Sequence, residues 1–178
     1  MDVQEAIKAW KPCLAFQLRP IQDESLQRVL NAARFASSAD NQQPWRFIVV
    51  RGEDAKRKLS QAVTKGHFLT KAPIVLVALG VEEASASLLG GYMLAYPLDV
   101  AASIQNLLVA ATGEGLGSCW CTEFREDKIR EQLELPEGVR VLGVLPLGYP
   151  EPATPGNNGG HAARKTLSEI VGYDTYSW

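Results

Sequence analysis

The stretch A-S-S-A-D-N-Q-Q-P-W-R-F-I-V-V, residues 36–50, joins the end of an amphipathic helix to an apolar strand through a loop of Ser37, Ser38, Asp40, Asn41, Gln42 and Gln43 that turns at Pro44. Six polar side chains carrying hydroxyl, amide and carboxylate groups, pinned between two regular elements, can hydrogen-bond the edge of a polar ligand. By composition alone the same residues read more readily as a turn, with Ser, Asp and Asn satisfying the helix end and Trp45 anchoring the core. The flanking elements decide the architecture. Upstream, Leu26, Val29, Leu30 and Ala33 form one stripe with Gln27, Arg28 and Arg34 off it, which predicts a helix starting near Gln22 or Asp23. Downstream, residues 45–50 predict a short strand.

Further along, Asp54 can cap a helix running through Leu59, Ala62 and Val63 towards Gly66. Residues 74–79, I-V-L-V-A-L, are apolar at every position, so the spacing predicts a central strand buried on both faces and covered by helices. Residues 84–94 are open between helix and loop, because Gly90-Gly91 weakens a helix. Residues 99–112 form the most helical stretch, with Ile104, Leu107, Leu108 and Ala111 on one face and small Ala101, Ala102 and Ala110 elsewhere; apolar nearly all round, it should be a central or dimer-facing helix. Gly113, Gly115 and Gly117 follow as G-x-G-x-G after a helix rather than between a strand and a helix, so they read as a helix end and not a phosphate cradle. A short strand over 118–122, a charged helix over 125–133 ending near Pro136, and an apolar strand over 139–147 interrupted by Pro146 complete the middle of the chain. At the start, Val3, Ala6, Ile7 and Trp10 share one helical face until Pro12, and an extended link runs over 14–21. Residues 150–160 read as a loop, and 166–171 as a last short helix or extended arm. Four strands among about six helices, not strictly alternating, make a single α+β domain over 1–178: helices around a mainly antiparallel or mixed sheet.

Composition narrows the function classes. A chain of 178 residues, 46% hydrophobic and 21% charged, supports a real core, alone or as half of an intertwined dimer. With 18 basic against 20 acidic residues it carries no basic field to attract nucleic acid or an anionic membrane, so small neutral partners are expected. The longest apolar run, near residues 73–81, is well short of the ~20 residues that span a bilayer, and Met1-Asp2 opens without a signal pattern; a cytoplasmic location is expected. Three cysteines, Cys13, Cys119 and Cys121, are an odd number for a disulfide framework, C-W-C is neither a redox C-x-x-C nor a paired zinc motif, and a buried structural role is the default for all three. On a strand, Cys119 and Cys121 share a face opposite Trp120. His67 and His161, the only histidines, give a metal site or a Ser-His-Asp triad little to build on.

Taken together and in order, these stretches resemble the nitroreductase family of FMN-dependent oxidoreductases. S-S-A-D-N-Q-Q-P-W-R-F-I-V-V is similar to the family's A-P-S-x-x-N-x-Q-P-W-x-F-x-V-V; A-P-I-V-L-V matches its second strand, S-I-Q-N-L-L-V-A-A-T-G-E-G-L-G-S-C-W its central helix and Gly-Leu-Gly turn, and L-G-Y-P with R-K-T-L-S-E-I-V its end. The resemblance implies a nitroreductase-like intertwined homodimer with FMN at the subunit interface. Electrons would pass from NAD(P)H to an electron-poor acceptor, a nitroaromatic or quinone, by a ping-pong mechanism in which the flavin and no catalytic side chain or metal carries the chemistry.

Position by position, the resemblance implies that Ser38 and Asn41, with Ser37 where the family has proline, approach the flavin from the partner subunit. It implies that Trp120, Cys121, Thr122 and Glu123 back the ring, Thr122 offering an N–H to N5. The resemblance also implies that Asp99, at the start of the central helix, matches a position whose polar side chain can lie beside the ring, and that Arg164 and Lys165 match the C-terminal basic pair near the phosphate. The N-terminus departs from the pattern: where the family carries I-x-x-R-R-S-x-R-x-F, Ile7 and Phe16 keep their spacing but Trp10, Lys11, Pro12, Cys13 and Leu14 intervene, and only Lys11 can serve as a phosphate cation. Charge-assisted donors are worth about 1.5–3 kcal/mol each. Their loss therefore motivates an alternative, a nitroreductase-like dimer with weakened or lost FMN binding that acts as a ligand-binding or regulatory protein.

Overall fold

The computed structural model describes residues 1–85, 88–152 and 163–176. The expected 150–160 loop beyond Pro152, and His161, lie outside them. The sheet is built on β2 (Ile74–Val81), whose first seven residues are all buried. It pairs antiparallel with β1 (Trp45–Val50) on one side and β6 (Val139–Gly148) on the other, and the two-residue β5 (Gly117–Ser118) adds to β6, giving the order β1-β2-β6-β5.

Strand alternation sorts the core into two layers. On one face Ile74, Leu76, Ala78, Leu145 and Leu147 pack with α2 (Asp23–Arg34) and α4 (Tyr96–Gly113). On the other, Val75, Val77, Leu79 and Val141 pack with α3 (Glu53–Ala62) and α5 (Glu126–Leu133). The expected α+β architecture, with helices around an antiparallel sheet, is therefore the observed one. α2 starts where its stripe predicts and buries Leu26, Val29 and Ala33.

α4 begins at Tyr96, three residues earlier than its periodicity suggests, because Pro97 fits the first turn of a helix. It ends as expected at its glycines. Gly115 takes φ +72°, and the N–H groups of Leu116 and Gly115 return to the carbonyls of Ala111 and Thr112.

Several expectations are corrected. α1 (Val3–Ala9) is capped by Asp2 and Glu5 in a reciprocal pair, yet only Ala6 of its apolar face is buried; Val3 and Ile7 remain exposed. α3 starts after Gly52, so Asp54 sits in its first turn and pairs with Arg57 instead of capping it. Residues 84–94 are not a helix: β3 (Leu88–Leu89) and β4 (Met93–Leu94) form a hairpin, since Gly90 and Gly91 at φ +56° and +78° supply a left-handed turn. The strand expected over 118–122 joins the ladder only at Gly117–Ser118 and again at a Cys121–Val144 bridge.

Pro146 does not interrupt β6. Val144 exchanges both backbone bonds with Cys121, so Pro146, two residues on, directs its missing N–H to the same outer side, between the two short contacts, where no ladder bond is lost. The irregularity in β6 falls at Leu142, which is skipped between the Ala78–Gly143 and Leu79–Val141 pairs. The C-terminal arm holds one 3-10 turn, Leu167–Glu169, capped by Thr166.

Candidate functional site

The opening loop is shaped by hydrogen bonds among its own residues. Ser38 Oγ accepts the Gln43 N–H at 3.0 Å, and the Gln43 amide donates to the carbonyl and side-chain oxygens of Asn41 at 3.1 and 3.2 Å. Asp40, Asn41 and Gln43 all hold positive φ, a conformation that costs a non-glycine residue energy and recurs where loops clamp ligands. Asp99, in the first turns of α4, accepts the Ala39 N–H at 3.2 Å through Oδ1, so the start of the central helix pins this loop. Its other oxygen, Oδ2, is buried with no hydrogen-bond partner among the described residues. Ser37 and Asn41 are exposed and Ser38 half-buried.

The second group gathers at the opposite edge of the sheet. Pro12 bridges Ser118 in parallel and the Cys13 N–H donates to the Ser118 carbonyl at 2.9 Å, which lays the N-terminal segment along the strand leading to Trp120. Trp120 turns onto the α2/α4 face. Its indole donates to the carbonyl of the skipped residue Leu142 at 3.1 Å and lies so close over Gly143 that a Cβ there would overlap the ring. Cys121 points to the other face with Cys13. Beyond it Thr122 and Glu123 are exposed, and their backbone N–H groups donate to none of the described residues. A cavity of about 320 Å³ lies beside this strand, lined by Lys11, Cys13, Leu14, Thr112, Gly117 and Glu151 among others.

The N-terminal departure has a structural use. Trp10 packs onto the α2/α4 core and donates its indole N–H to Ser118 Oγ at 3.3 Å. The position that would carry a phosphate-binding arginine thus anchors the segment instead. Lys11 stays exposed at the cavity. Arg164 and Lys165 are exposed at the start of the C-terminal arm.

One chain does not bring all these residues together. Ser37, Ser38, Asn41 and Asp99 belong to the β1 edge, whereas Lys11, Trp120, Cys121, Thr122 and Glu123 belong to the β5 edge. Three strand spacings, roughly 14 Å, separate the edges. The candidate residues therefore form two groups at opposite edges of the sheet, two half-sites within one chain.

Thiol electrostatics at the β5 edge escaped the sequence reading. The Cys119 thiol is lowered by a hydrogen bond from Cys121 and by the Trp120 backbone, against burial. That same hydrogen bond, with burial, raises Cys121, and burial raises Cys13. The expectation that all three cysteines are buried is corrected: each is a free, half-buried thiol.

Residues 7–149 match the model of the nitroreductase family. A protein from Archaeoglobus fulgidus that carries an NADH dehydrogenase/NAD(P)H nitroreductase name is 37% identical over 142 residues, covering 75% of this chain and 76% of its own. A crystal structure of a nitroreductase family protein from Clostridium difficile superposes with a TM-score of 0.87 at 29% identity, over 99% of this chain and 100% of that one. The NADPH:FMN oxidoreductase of Vibrio harveyi, solved with NAD+, shares the fold at a TM-score of 0.85 and 23% identity, over 99% of this chain and 78% of its own.

Proposed function

This chain belongs to the nitroreductase family, and from that premise we propose that it is an FMN-dependent oxidoreductase that works as a homodimer, carrying electrons from NAD(P)H to a small electron-poor acceptor of the nitroaromatic or quinone class. The observation that carries the reading is the pair of N–H groups at Thr122 and Glu123, which donate to none of the described residues and follow directly on Trp120 and Cys121. Free backbone donors at this edge of the sheet fit the polar edge of a flavin, whose N5 and O4 accept hydrogen bonds. When bound, FMN supplies the hydride and electron transfer; the protein has only to hold it, orient it and exclude competing contacts.

In this reading Thr122 and Glu123 orient the ring, and Lys11, Arg164 and Lys165 supply positive charge for the phosphate. Ser38 and Asn41, with Ser37 beside them, reach the ring from a second copy, held by Asp99. The β1 edge of one chain would face the β5 edge of its partner, and the separation of the half-sites supports this arrangement. So does the apolar surface left bare on one chain: Leu88, Leu89, Tyr92, Met93 and Leu94 on the hairpin, Leu98 on α4, and Leu167, Ile170 and Tyr173 on the arm are all exposed.

The inward turn of Trp10, with Pro12 and Leu14 beside it, favours a second reading, a dimer of the same fold that binds FMN weakly and holds another ligand. Absorption spectroscopy of the purified protein and titration with FMN separate the two. The flavin reading expects a yellow protein, or one that turns so on titration, whose colour bleaches with NAD(P)H under anaerobic conditions. It also expects about tenfold weaker FMN binding on Arg164→Ala or Lys165→Ala, the equivalent of ~1.4 kcal/mol. A colourless protein that ignores FMN and NAD(P)H would sink it, and unchanged affinity in both variants would sink the phosphate assignment.

A further inference from the structure

Cys13, Cys119 and Cys121 are the only cysteines of the chain, and the fold collects all three on one face of the β5 edge. The Cys13 side chain lies against the Cα of Gly117, where a Cβ would meet its Sγ at 2.5 Å. Alternation then puts Gly117, Cys119 and Cys121 on that same side and Trp120 on the other. Packing agrees: Cys13 and Cys121 touch the α3/α5 core, Trp120 the α2/α4 core. Cys119 therefore shares this face with the other two thiols, and hydrogen bonding with Cys121 lowers it. Among the described residues no group of His, Cys, Asp and Glu is arranged to hold a metal ion.

We propose that Cys119 and Cys121 are a redox-active thiol pair that exchanges with low-molecular-weight disulfides and closes reversibly to an intrachain disulfide. Cys119 is the attacking sulfur of the two, because hydrogen bonding lowers its thiol while it raises that of Cys121, which favours the thiolate at Cys119. Its thiolate attacks one sulfur of the small disulfide, breaking that S–S bond and releasing one thiolate. Cys121 then gives up its proton and attacks Cys119 Sγ in the mixed disulfide, releasing the second thiolate and forming the Cys119–Cys121 bond. Two protein thiols are oxidised and one small disulfide is reduced to two thiols.

The backbone leaves room for closure. In an extended strand, Cα atoms two residues apart lie ~6.6–7.2 Å from one another, at or beyond the upper end of what a disulfide spans, so the chain must bend between them. Residues 119 and 120 can bend, because the ladder holds Gly117–Ser118 and then only Cys121. Such a strained bridge reduces readily, as a switch requires. Cys13 hydrogen-bonds the Ala15 carbonyl at 3.2 Å and remains a thiol.

The test is incubation of the purified protein with an excess of oxidised glutathione, followed by thiol counting under denaturing conditions and tryptic mapping. Closure takes the count from three thiols to one, and the single peptide that holds Cys119 and Cys121 loses the mass of two hydrogens; dithiothreitol restores both. Cys121→Ser removes the resolving sulfur and traps glutathione on Cys119. Retention of three thiols in the native chain, or a cross-link between the peptides of Cys13 and Cys119, overturns the proposal whether or not the variant folds. These readouts do not involve flavin, so they succeed or fail independently of the oxidoreductase reading.

Discussion

Replacing Asp99 by Ala removes the side-chain hydrogen bond that ties the start of α4 to the loop over residues 37–43. The bond lost is a charge-assisted one, from the Ala39 N–H to Oδ1 at 3.2 Å, worth about 1.5–3 kcal/mol when fully made. A further few tenths of a kcal/mol, up to ~1, goes with the loss of a carboxylate in the first turns of a helix. Against these stands the relief of Oδ2, a buried oxygen without a partner. The net expectation is a loss of about 1–2 kcal/mol in stability. The loop's three left-handed residues amplify the effect on function, because without the anchor they relax towards ordinary backbone and carry Ser38 and Asn41 out of position.

Urea denaturation measures the first effect and FMN titration, by quenching of flavin fluorescence, the second. The titration should show roughly tenfold or more weakening, equivalent to ~1.4 kcal/mol. Asp99→Asn keeps an accepting oxygen and should fall between the wild type and Asp99→Ala. An Asp99→Ala protein with wild-type stability and wild-type FMN affinity would refute both the anchor and the role given to the loop.

Two further outcomes test other joints of the structure. Gly143→Ala sets a Cβ into the Trp120 indole, an overpacking that costs typically 1–3 kcal/mol; near-UV circular dichroism should change as the ring moves, and an unaltered spectrum with unaltered stability would show that the contact is not tight. Glu126 is held below the usual carboxylate range by its hydrogen bonds from Arg140, and from the Val141 N–H. A carboxyl lowered on folding adds stability that is present above its unfolded value and lost as pH falls through the folded one. Glu126→Gln should therefore cost about 1 kcal/mol at pH 7, discounted for the half-exposed Arg140, and the gap to wild type should close as both are acidified; a gap constant with pH would contradict the assignment.

The parts of the fold that the sequence discloses are those where one element determines its own burial. The unbroken apolar run of β2 required a covered central strand, and the stripe of α2 and the glycines after α4 marked their own limits. What stayed hidden depends on partners distant in the chain. Gly90 and Gly91 weaken a helix and equally make a hairpin, and only pairing of Leu89 with Met93 decides between them. Pro146 is tolerated because the neighbouring strand is absent at that position, a property of β5 and not of β6.

The candidate site divides in the same way. Motif spacing located the loop and the strand after α4, while the bond from Ala39 to Asp99, sixty residues apart, and the inward turn of Trp10 onto Ser118 are tertiary facts. The cysteines show the limit most clearly. Alternation foresaw that Cys119 and Cys121 share a face, but nothing in a linear reading brings Cys13 to them across more than a hundred residues.

The placement of the half-sites on opposite edges of the sheet has a thermodynamic consequence. If a flavin is enclosed only where two copies meet, ligand binding and association are linked equilibria: saturation with FMN tightens the dimer, and dilution of the protein releases FMN even at constant free ligand. Apparent affinity then becomes a function of protein concentration, and each dimer loads at two equivalent positions related by its twofold axis. A cell could adjust the fraction of loaded enzyme through its abundance alone.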